Sequence, residues 1–373
     1  MPQSFTSPLS SQQVKSAALS AGFAVCGIAP AGLLSAERAG QRETMLRRSF
    51  HAGMDYLERN EEKRLDPRLL IPGARTVISV AWPYPPRPAQ GAPIAAYAFG
   101  RDYHQVVKAA LRDFAGRLGL AEPDVCRCFV DTAPIDERYW AWRAGVGFIG
   151  RSGMLIVPRL GSRFFLGEIV TVLPADTYDV PLTPDIASHR LCGVCRRCLD
   201  ACPGGALTSD GLDARRCLSY LTIEHRGPLP PAASRWMHAA PGTPLFYGCD
   251  RCTEVCPYNA ACPVAEAAPA EGKVPSVLAP SFLAENPGDA AFWTHLSVED
   301  YRALFKDSAV KRAKYEGLMR NIAAFYAPAD DVAAPSATAD ASAILGEASP
   351  AAPSVASATT DKTSAEGQDL LPR

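Results

Sequence analysis

The chain has 373 residues, of which 47% are hydrophobic and 21% are charged, so it holds enough apolar material for a large core. Because 38 basic and 39 acidic residues nearly cancel to a formal net charge of −1, the composition excludes a strongly cationic nucleic-acid binder. No apolar run approaches the ~20 residues of a membrane span, and the amino end lacks the basic-then-apolar order of a secretory signal. We therefore expect a cytoplasmic protein without membrane contact.

The first half of the chain alternates between helical and strand-like patterns. Apolar spacing and turn residues predict, in chain order, two helices within 10–50 separated by an apolar turn at 22–28, a buried strand at 76–82, a helix at 102–118, a strand at 127–131, a helix through residue 144, and a hairpin of 154–157 with 163–173 around Gly161. Such alternation is typical of layered α/β domains, whose sheet can be mixed. We therefore predict an α+β protein whose first domain, residues 1–180, is a layered α/β unit.

Three further parts follow this domain. Residues 181–265 are rich in cysteine, and residues 266–326 carry helical patterns, including a capping-box start at Ser297. Residues 327–373 are mostly Ala, Ser, Pro and Thr, with seven acidic and two basic side chains and no aromatic residue. Such a composition buries too little apolar surface to offset the entropy of ordering, so we expect this tail to be disordered.

Four cysteines in LCGVCRRCLDACPGG follow the order C-x2-C-x2-C-x3-C-P. They are Cys192, Cys195, Cys198 and Cys202. This is the spacing by which bacterial ferredoxins hold [4Fe–4S] clusters, and in it the fourth cysteine binds the other of two clusters. The spacing therefore predicts two clusters, with Cys202 on the second.

A second motif supplies the remaining ligands. YGCDRCTEVCPYN carries cysteines in the order C-x2-C-x3-C-P, which repeats the first motif without its first cysteine. By this pseudo-symmetry Cys256 should cross back to the first cluster, and Cys217, between the motifs, should complete the second. We predict cluster one on Cys192, Cys195, Cys198 and Cys256, and cluster two on Cys202, Cys217, Cys249 and Cys252. Cys262 is left over.

Structural zinc is the alternative, because paired CxxC units also form zinc ribbons. Zinc explains neither the x2-x2-x3-Pro order nor two interleaved sets of ligands, so we favour iron–sulfur clusters. The other cysteines, Cys26, Cys126 and Cys128, lie in apolar or strand-like contexts and are expected to be small core residues.

Two clusters in a chain of this size imply an electron relay to another group, since a ferredoxin alone needs far fewer residues. The segment from Asp131 to Thr171 is the candidate receiving site. Asp131 ends a predicted strand. Four glycines lie between residues 145 and 153, and glycine lets the backbone come close to a flat cofactor. The alternative is that Asp131 caps a helix and the glycines form turns.

Several longer stretches identify a family. They are KRLDP (63–67), GRDYH (100–104), VDTAPIDER (130–138), AGVGFIGRSGMLI (144–156), LGSRFFLGEI (160–169) and CLSYLTIEHRG (217–227). Together with the spaced cysteines they make the chain resemble, over about residues 10–326, the epoxyqueuosine reductases, cobalamin-dependent enzymes of queuosine synthesis in tRNA. The resemblance implies a corrinoid-binding first domain related to flavin nitroreductases, a ferredoxin-like domain with two clusters, and C-terminal helices.

The resemblance also implies roles for particular residues. Asp131 matches the family's proton donor, whose pKa an apolar corrin face would raise. The residues expected at cobalamin are Arg64, Tyr97, Arg151, Ser152, Leu155, Gly161, Ser162 and Leu166. His104 stands near the expected pocket, where a helix-face role is the alternative, and Arg226 is a candidate for a tRNA phosphate contact.

The implied reaction reduces epoxyqueuosine to queuosine at the wobble position of tRNAs with GUN anticodons, those for Tyr, His, Asp and Asn. Electrons would come from an external low-potential donor of the flavodoxin or ferredoxin type, and we expect a monomer. Two alternatives stay open: a corrinoid-dependent reductive dehalogenase and a non-catalytic iron–sulfur electron carrier. The absence of a twin-arginine export signal disfavours the first, and the large first domain disfavours the second.

Overall fold

The computed structural model describes residues 7–89, 91–120, 122–260 and 288–327. Within these ranges no helix is both long and apolar enough to cross a membrane. The tail predicted to be disordered lies outside the described residues except for Ala327, and Cys262 lies outside them as well.

A four-stranded antiparallel sheet forms the centre of the first part. The strands in this part are β1 (Val25–Pro30), β2 (Thr76–Pro83), β3 (Cys126–Phe129), β4 (Phe148–Ile149), β5 (Leu155–Ile156) and β6 (Phe164–Thr171). The main sheet has the order β1-β2-β6-β3, while β4 and β5 pair separately. The central strands β2 and β6 are almost continuously buried, as strands are when both faces of a sheet are covered.

Helices provide that cover on both faces. They are α1 (Ser11–Ser20), α2 (Ala36–Arg47), α3 (Glu61–Leu65), α4 (Tyr103–Arg117) and α5 (Glu137–Arg143), with 3₁₀ turns at Asp55–Leu57, Pro67–Leu69 and Ala96–Ala98. Val14 of α1 and Leu111 of α4 belong to the core on one face, and Trp140 of α5 belongs to the core on the other. The layered organisation predicted from the sequence is therefore confirmed.

Aspartates immediately before α4 and α5 fix where these helices begin. Asp102 accepts a hydrogen bond from the main-chain N–H of His104, and Asp136 accepts one from Tyr139. Such N-caps satisfy amide groups that have no partner inside the helix. Both helices begin beside the end of β3, which brings their first turns to the same edge of the sheet.

Three sequence predictions about this part are wrong. The expected turn at 22–28 is largely β1, which pairs with β2. The hairpin around Gly161 does not form: β6 pairs with β2 and β3, β5 pairs with β4, and Val157 and Gly161 share an isolated bridge. The main sheet is antiparallel rather than mixed. Each error concerns a partner strand distant in the sequence, which local patterns do not identify.

The cysteine-rich part consists of short elements around two similar loops. They are α6 (Arg197–Asp200), β7 (Leu207–Thr208), β8 (Gly211–Leu212), α7 (Leu218–Ile223), α8 (Ala233–His238), α9 (Arg251–Glu254) and α10 (Pro257–Ala260), with 3₁₀ turns at Arg190–Cys192 and Ala214–Arg216. Each motif places a cysteine, Cys198 or Cys252, at the second position of a four-residue helix, and these helices, α6 and α9, contact each other. The pseudo-symmetry expected from the motifs is thus present in the backbone.

The carboxyl-terminal helices complete a third core. They span Ala290–Thr294, Val298–Leu304 and Lys314–Tyr326, with a 3₁₀ turn at Ala309–Ala313. The predicted cap at Ser297 is confirmed, since its Oγ accepts from the N–H of Asp300 at 3.0 Å. Trp293 and Ile322 share a core with Ile94 and Phe246, so all three ordered parts contribute to it. The domain boundaries at 180, 265 and 326 stay predictions.

Candidate active site

Asp131 lies two residues beyond β3, where the chain turns towards α5. Its φ of +53° is in the left-handed region, which aspartate tolerates better than most residues. Its main-chain N–H donates to Oε1 of Glu137 in α5, and this bond fixes the turn. The Asp131 side chain is 56% exposed, because it faces a cavity rather than the core.

Two side chains at the start of α4 hold the Asp131 carboxylate. The Tyr103 hydroxyl donates to Oδ2 at 2.5 Å, and His104 Nε2 lies 3.2 Å from the same oxygen. His104 Nδ1 lies 2.6 Å from Oδ1 of Asp102, so its ring stands between two carboxylates. The Tyr103 ring stacks on Phe165 of β6, with centroids 4.3 Å apart and planes 5° from parallel. The stacking fixes the tyrosine that positions Asp131.

The same contacts set the protonation of the pair. Burial lowers the pKa of His104, but hydrogen bonds with Asp102 and Asp131 outweigh it and raise this pKa to about 9. Burial raises the pKa of Asp131, but hydrogen bonds from His104 and Tyr103 outweigh it and leave this pKa below its usual range. Near neutral pH the pair is therefore an imidazolium and a carboxylate. The raised pKa expected for Asp131 beside a corrin is not produced by the chain's own side chains, because these are hydrogen-bond donors.

A cavity of about 400 Å³ joins Asp131 to the cysteine-rich part. Its wall is largely apolar and includes Tyr84, Tyr97, Met154, Leu155, Phe164, Phe165 and Leu166. Asp131, Glu137 and Arg138 also line it. So do the four cysteines predicted to hold cluster two, Cys202, Cys217, Cys249 and Cys252. The volume is in the range of small-molecule sites.

The cysteines fall into two neighbouring groups, and the division of their thiols between two clusters stays a prediction. Burial and then the nearby Cys192 and Cys256 raise the pKa of the Cys198 thiol. Burial, and after it Cys249, Cys217, Cys202 and Cys198, raise the pKa of Cys252, so the second group adjoins the first. Among the described residues, no three His, Cys, Asp or Glu side chains are placed to hold a single metal ion. A cubane binds each thiolate at a separate corner, so it does not require them to meet at one point.

The 150–162 loops of the first part pack directly against the cluster loops. Arg151 donates to the carbonyl oxygen of Gly193, between the first two cysteines of the first motif, at 3.0 Å. The amide of Asn259 accepts from the N–H of Ser162 at 2.7 Å and donates to its Oγ at 3.0 Å. A Cβ at Gly161, whose φ is +79°, would lie 2.1 Å from Asn259 Oδ1, so only glycine fits there. These loops thus hold the two parts in register.

Five of the eight residues predicted to contact cobalamin line this cavity. They are Tyr97, Ser152, Leu155, Ser162 and Leu166. Arg64, Arg151 and Gly161 are not among its lining residues: the Arg64 guanidinium donates to the main-chain oxygens of Arg59 and Tyr56, and the other two make the loop contacts described above.

Arg226, predicted to contact tRNA, is exposed at the end of the 217–227 stretch. Its guanidinium donates to the carbonyl oxygens of Ile223, His225 and Arg312. It therefore orders its own turn and joins it to the carboxyl-terminal helices. A phosphate contact by Arg226 stays a prediction.

Sequence reasoning missed three residues of this site: Tyr103 and Glu137, which contact Asp131, and Phe165, which stacks on Tyr103. All three lie in stretches that carried the family resemblance, so the signal was present without a role attached to it. His104 was noted near the site, and the structure gives it a contact with Asp131.

Two family models match the chain. Residues 64–132 match the model described as epoxyqueuosine reductase QueG, DUF1730, and residues 191–259 match a 4Fe-4S double cluster binding domain. The second match decides between cubanes and zinc in favour of iron–sulfur clusters, and its span contains all eight predicted ligands.

The chain is also similar over most of its length to a curated relative and to solved structures. The epoxyqueuosine reductase of Leadbetterella byssophila is 38% identical over 317 residues, which cover 84% of this chain and 97% of that protein. A crystal structure of an epoxyqueuosine reductase with an epoxyqueuosine-modified tRNA-Tyr stem loop superposes with a TM-score of 0.69 at 27% identity, covering 84% of this chain and 80% of that one. The enzyme from Bacillus subtilis, with its catalytic loop swung out of the active site, gives 0.67 at 26% identity over the same shares. These matches confirm the predicted fold class, and the chain belongs to the epoxyqueuosine reductase family.

Proposed function

We propose that this cavity is where epoxyqueuosine in tRNA is reduced to queuosine, with Asp131 passing a proton to the epoxide oxygen. The observation that carries the proposal is that Asp131 and the four cysteines predicted to hold cluster two line the same cavity. The reaction breaks both C–O bonds of the epoxide, forms an alkene and releases the oxygen as water. It therefore needs two electrons, which the clusters supply, and two protons.

An acid is needed because an alkoxide is a poor leaving group, and a positioned donor neutralises it in the transition state. With His104 as an imidazolium, the proton that Asp131 delivers is held on Nε2, 3.2 Å from the carboxylate. An apolar ligand face against Asp131 would raise the pKa of its carboxyl and draw this proton across. Asp131 and His104 thus act as one proton-donating unit, oriented by Tyr103 and Asp102.

We expect His104→Asn to lower kcat about tenfold and to change its pH dependence. The donor must carry its proton, so wild-type kcat should show a fall as the pH rises through the pKa of His104, about 9. The variant should lack that fall. Rates of queuosine formation at saturating tRNA over this pH range provide the measurement, and an unchanged alkaline fall in the variant would place the proton elsewhere.

The cavity wall fits cobalamin as the remaining cofactor. Stacked and edge-on aromatic side chains with Leu155 and Leu166 form an apolar surface suited to a flat macrocycle, while Ser152 and Ser162 offer hydroxyl groups to its amide side chains. The molecule is larger than the cavity, so part of it would remain in solvent. When bound, cobalamin supplies strongly reducing electrons to the epoxide carbon.

We propose tRNAs with GUN anticodons as substrates, on the likeness to the relative crystallised with a tRNA-Tyr stem loop. An anticodon loop offers unstacked bases, so a modified nucleotide can enter a cavity without melting a duplex. Arg226 lies exposed beyond α7, whose first residues line the cavity, and is a candidate for a phosphate contact.

The function is tested by supplying purified protein, reconstituted with clusters and cobalamin, with dithionite and epoxyqueuosine-containing tRNA. Digestion of the tRNA to nucleosides should yield queuosine. If epoxyqueuosine persists while the protein reduces a brominated phenol, the chain is a reductive dehalogenase instead, and if neither is reduced it is an electron carrier.

Under the same proposal, electrons enter at cluster one. An external flavodoxin- or ferredoxin-like donor delivers them, and the protein that receives them is a monomer. The loop of cluster one is exposed: Val194 is 99% and Leu191 41% accessible. Arg190 and Arg197 beside them are exposed and have no ion-pair partner among the described residues. An apolar patch edged by free positive charge is complementary to the acidic surface typical of such carriers.

We expect Val194→Asp to lower kcat/KM for reduced ferredoxin about tenfold, because it places a negative charge where an acidic partner docks. Turnover driven by dithionite should not change, since a small reductant needs no docking surface. Arg47→Glu on α2 is the control at an exposed arginine of the first part, and it should affect neither assay. Equal loss in both assays, or a weaker tRNA affinity with normal ferredoxin kinetics, would refute the docking surface.

A further inference from the structure

Three buried polar side chains between the sheet and α5 have no hydrogen-bond partner. They are Glu168 of β6, with both carboxyl oxygens, Ser79 of β2, with its hydroxyl, and Trp140 of α5, with its indole N–H. Glu168 and Ser79 are 0% exposed and lie opposite each other in the register of β2 and β6. Buried polar groups are normally satisfied, so a cluster of three that are not requires an explanation.

The face of the sheet is identified by the neighbours of Glu168. Val170, two residues along β6, and Val77 and Ala81, on either side of Ser79, all belong to the core that includes Trp140 of α5. Side chains two residues apart in a strand share a face, so Glu168 and Ser79 point towards α5. An ionised carboxylate without a partner is strongly disfavoured in such a place, and Glu168 therefore holds its proton.

Glu137 connects this cluster with Asp131. It lies one helical turn before Trp140 in α5, accepts the main-chain N–H of Asp131, and lines the cavity. Burial and the charge of Asp131 raise the pKa of Glu137 to about 8, and burial followed by the charge of Glu137 raises that of Glu168 further. Three carboxyl groups thus follow one another from the cavity into the core: Asp131, Glu137 and Glu168.

The reaction has a use for such a series. Both protons that it consumes are transferred to the same oxygen, the first when one C–O bond breaks and the second as that oxygen leaves as water. A single carboxyl group carries one proton at a time. The donor beside the oxygen must therefore be recharged before the oxygen departs, while the bound substrate covers the cavity.

We propose that Glu137 and Glu168 are positioning residues that store a second proton behind Asp131 and return it within one turnover. After Asp131 has given its first proton to the oxygen, the proton of Glu137 moves to the Asp131 carboxylate, and the proton of Glu168 moves to Glu137. Asp131 then donates again, and the oxygen leaves as water. The electrons come from the clusters, and solvent refills the store after product release.

The unpartnered groups fit this role, because the Ser79 hydroxyl and the Trp140 N–H can donate, directly or through an internal water, to the carboxylate that Glu168 becomes after it gives up its proton. Other charged groups near the store are His104 at the start of α4, which faces Asp131, Arg138 of α5, on the cavity side, and Asp136, which is paired with Arg38 of α2. Asp136 is kept ionised by that arginine and repels an ionised Glu168, which favours the protonated form of the store.

This inference depends on the proposed function, and its test separates the two. We expect Glu137→Gln to form queuosine about tenfold more slowly than wild type at neutral pH while keeping wild-type iron content, cobalamin binding and KM for tRNA. Wild-type kcat should fall as the pH rises through about 8, since the store works only while Glu137 is protonated. Glu137→Gln should lose this fall and keep only the one near 9 that belongs to His104.

Glu168→Gln preserves the size of the buried side chain and should also slow turnover several-fold. Glu122→Gln is the matched control, because this carboxylate caps the N–H of Cys128 and pairs with Arg112 outside the series; its rate and pH profile should equal those of wild type. Should Glu168→Gln not fold, Glu137→Gln at its half-buried position decides alone. Wild-type rates in Glu137→Gln, or a loss that is equal at every pH, would overturn the proton store, whereas failure of wild type to form queuosine would overturn the function itself.

Discussion

Replacing Asp131 by asparagine should lower kcat for queuosine formation by about 10²–10⁴-fold, the usual contribution of a positioned general acid. The amide has the size of the carboxylate and an oxygen that can still accept from Tyr103, so the site should keep its shape. It cannot receive the proton held on His104 and pass it to the epoxide oxygen. Iron content, cobalamin binding and tRNA affinity should therefore stay at wild-type levels while single-turnover reduction is lost.

The matched control is Asp113→Asn. Asp113 is an exposed carboxylate on α4 that pairs only with Arg117 among the described residues, so its amide should leave turnover unchanged. A fully active Asp131→Asn would refute the assignment of the acid. If the variant instead failed to bind cobalamin, Asp131 would be needed to hold the cofactor, and the loss of turnover would no longer support its assignment as the acid.

The features predicted best from the sequence are those that depend on neighbours in the chain. Cysteine spacing within a loop is local, so the motifs predicted the iron–sulfur unit that the match to a 4Fe-4S double cluster binding domain confirms, while the division of ligands stays a prediction. The cap at Ser297 and the boundaries of α4 are local as well. β1 was missed because its apolar residues become a strand only by pairing with β2, some 50 residues later in the chain.

The active site shows the same division. Asp131 was singled out because it ends a predicted strand inside a recognisable stretch, and its role stays a prediction; the direction of its pKa shift was not anticipated. That direction is set by Tyr103 and His104, which reach it only because α4 packs on the sheet beside β3. The proposed proton store at Glu168 could not be predicted from the sequence either, since a glutamate in an apolar strand is informative only once α5 is known to cover it.

Cys217→Ala should remove about half of the bound iron and abolish turnover even with dithionite. Cys217 is the predicted ligand of cluster two that belongs to neither motif, and it stands immediately before α7. Burial raises the pKa of its thiol, and the main-chain N–H groups of Tyr220 and Ser219 that face its sulfur offset part of that rise. Amides at a helix start stabilise a thiolate, which is the form that binds iron. Since the four predicted ligands of cluster two line the cavity, loss of this cluster should stop electrons that enter through cluster one from reaching the site. Iron analysis, electron paramagnetic resonance of the reduced protein and the nucleoside assay give the three measurements.

Two further alanine variants distinguish ligation from general damage. Cys26→Ala changes a half-buried thiol of β1, and Cys262→Ala changes the cysteine that spacing leaves without a cluster; both should retain all iron and full turnover. Equal iron loss in Cys217→Ala and Cys262→Ala would refute the division of ligands. Full iron with lost turnover in Cys217→Ala would mean that another group replaces the thiolate and shifts the potential of cluster two.

The predicted ligand sets are interleaved, and this can be tested directly. Cys202 of the first motif is assigned to cluster two, and Cys256 of the second motif is assigned to cluster one. Cys256→Ala should therefore deplete cluster one while the signal of cluster two persists, although Cys256 lies in the second motif.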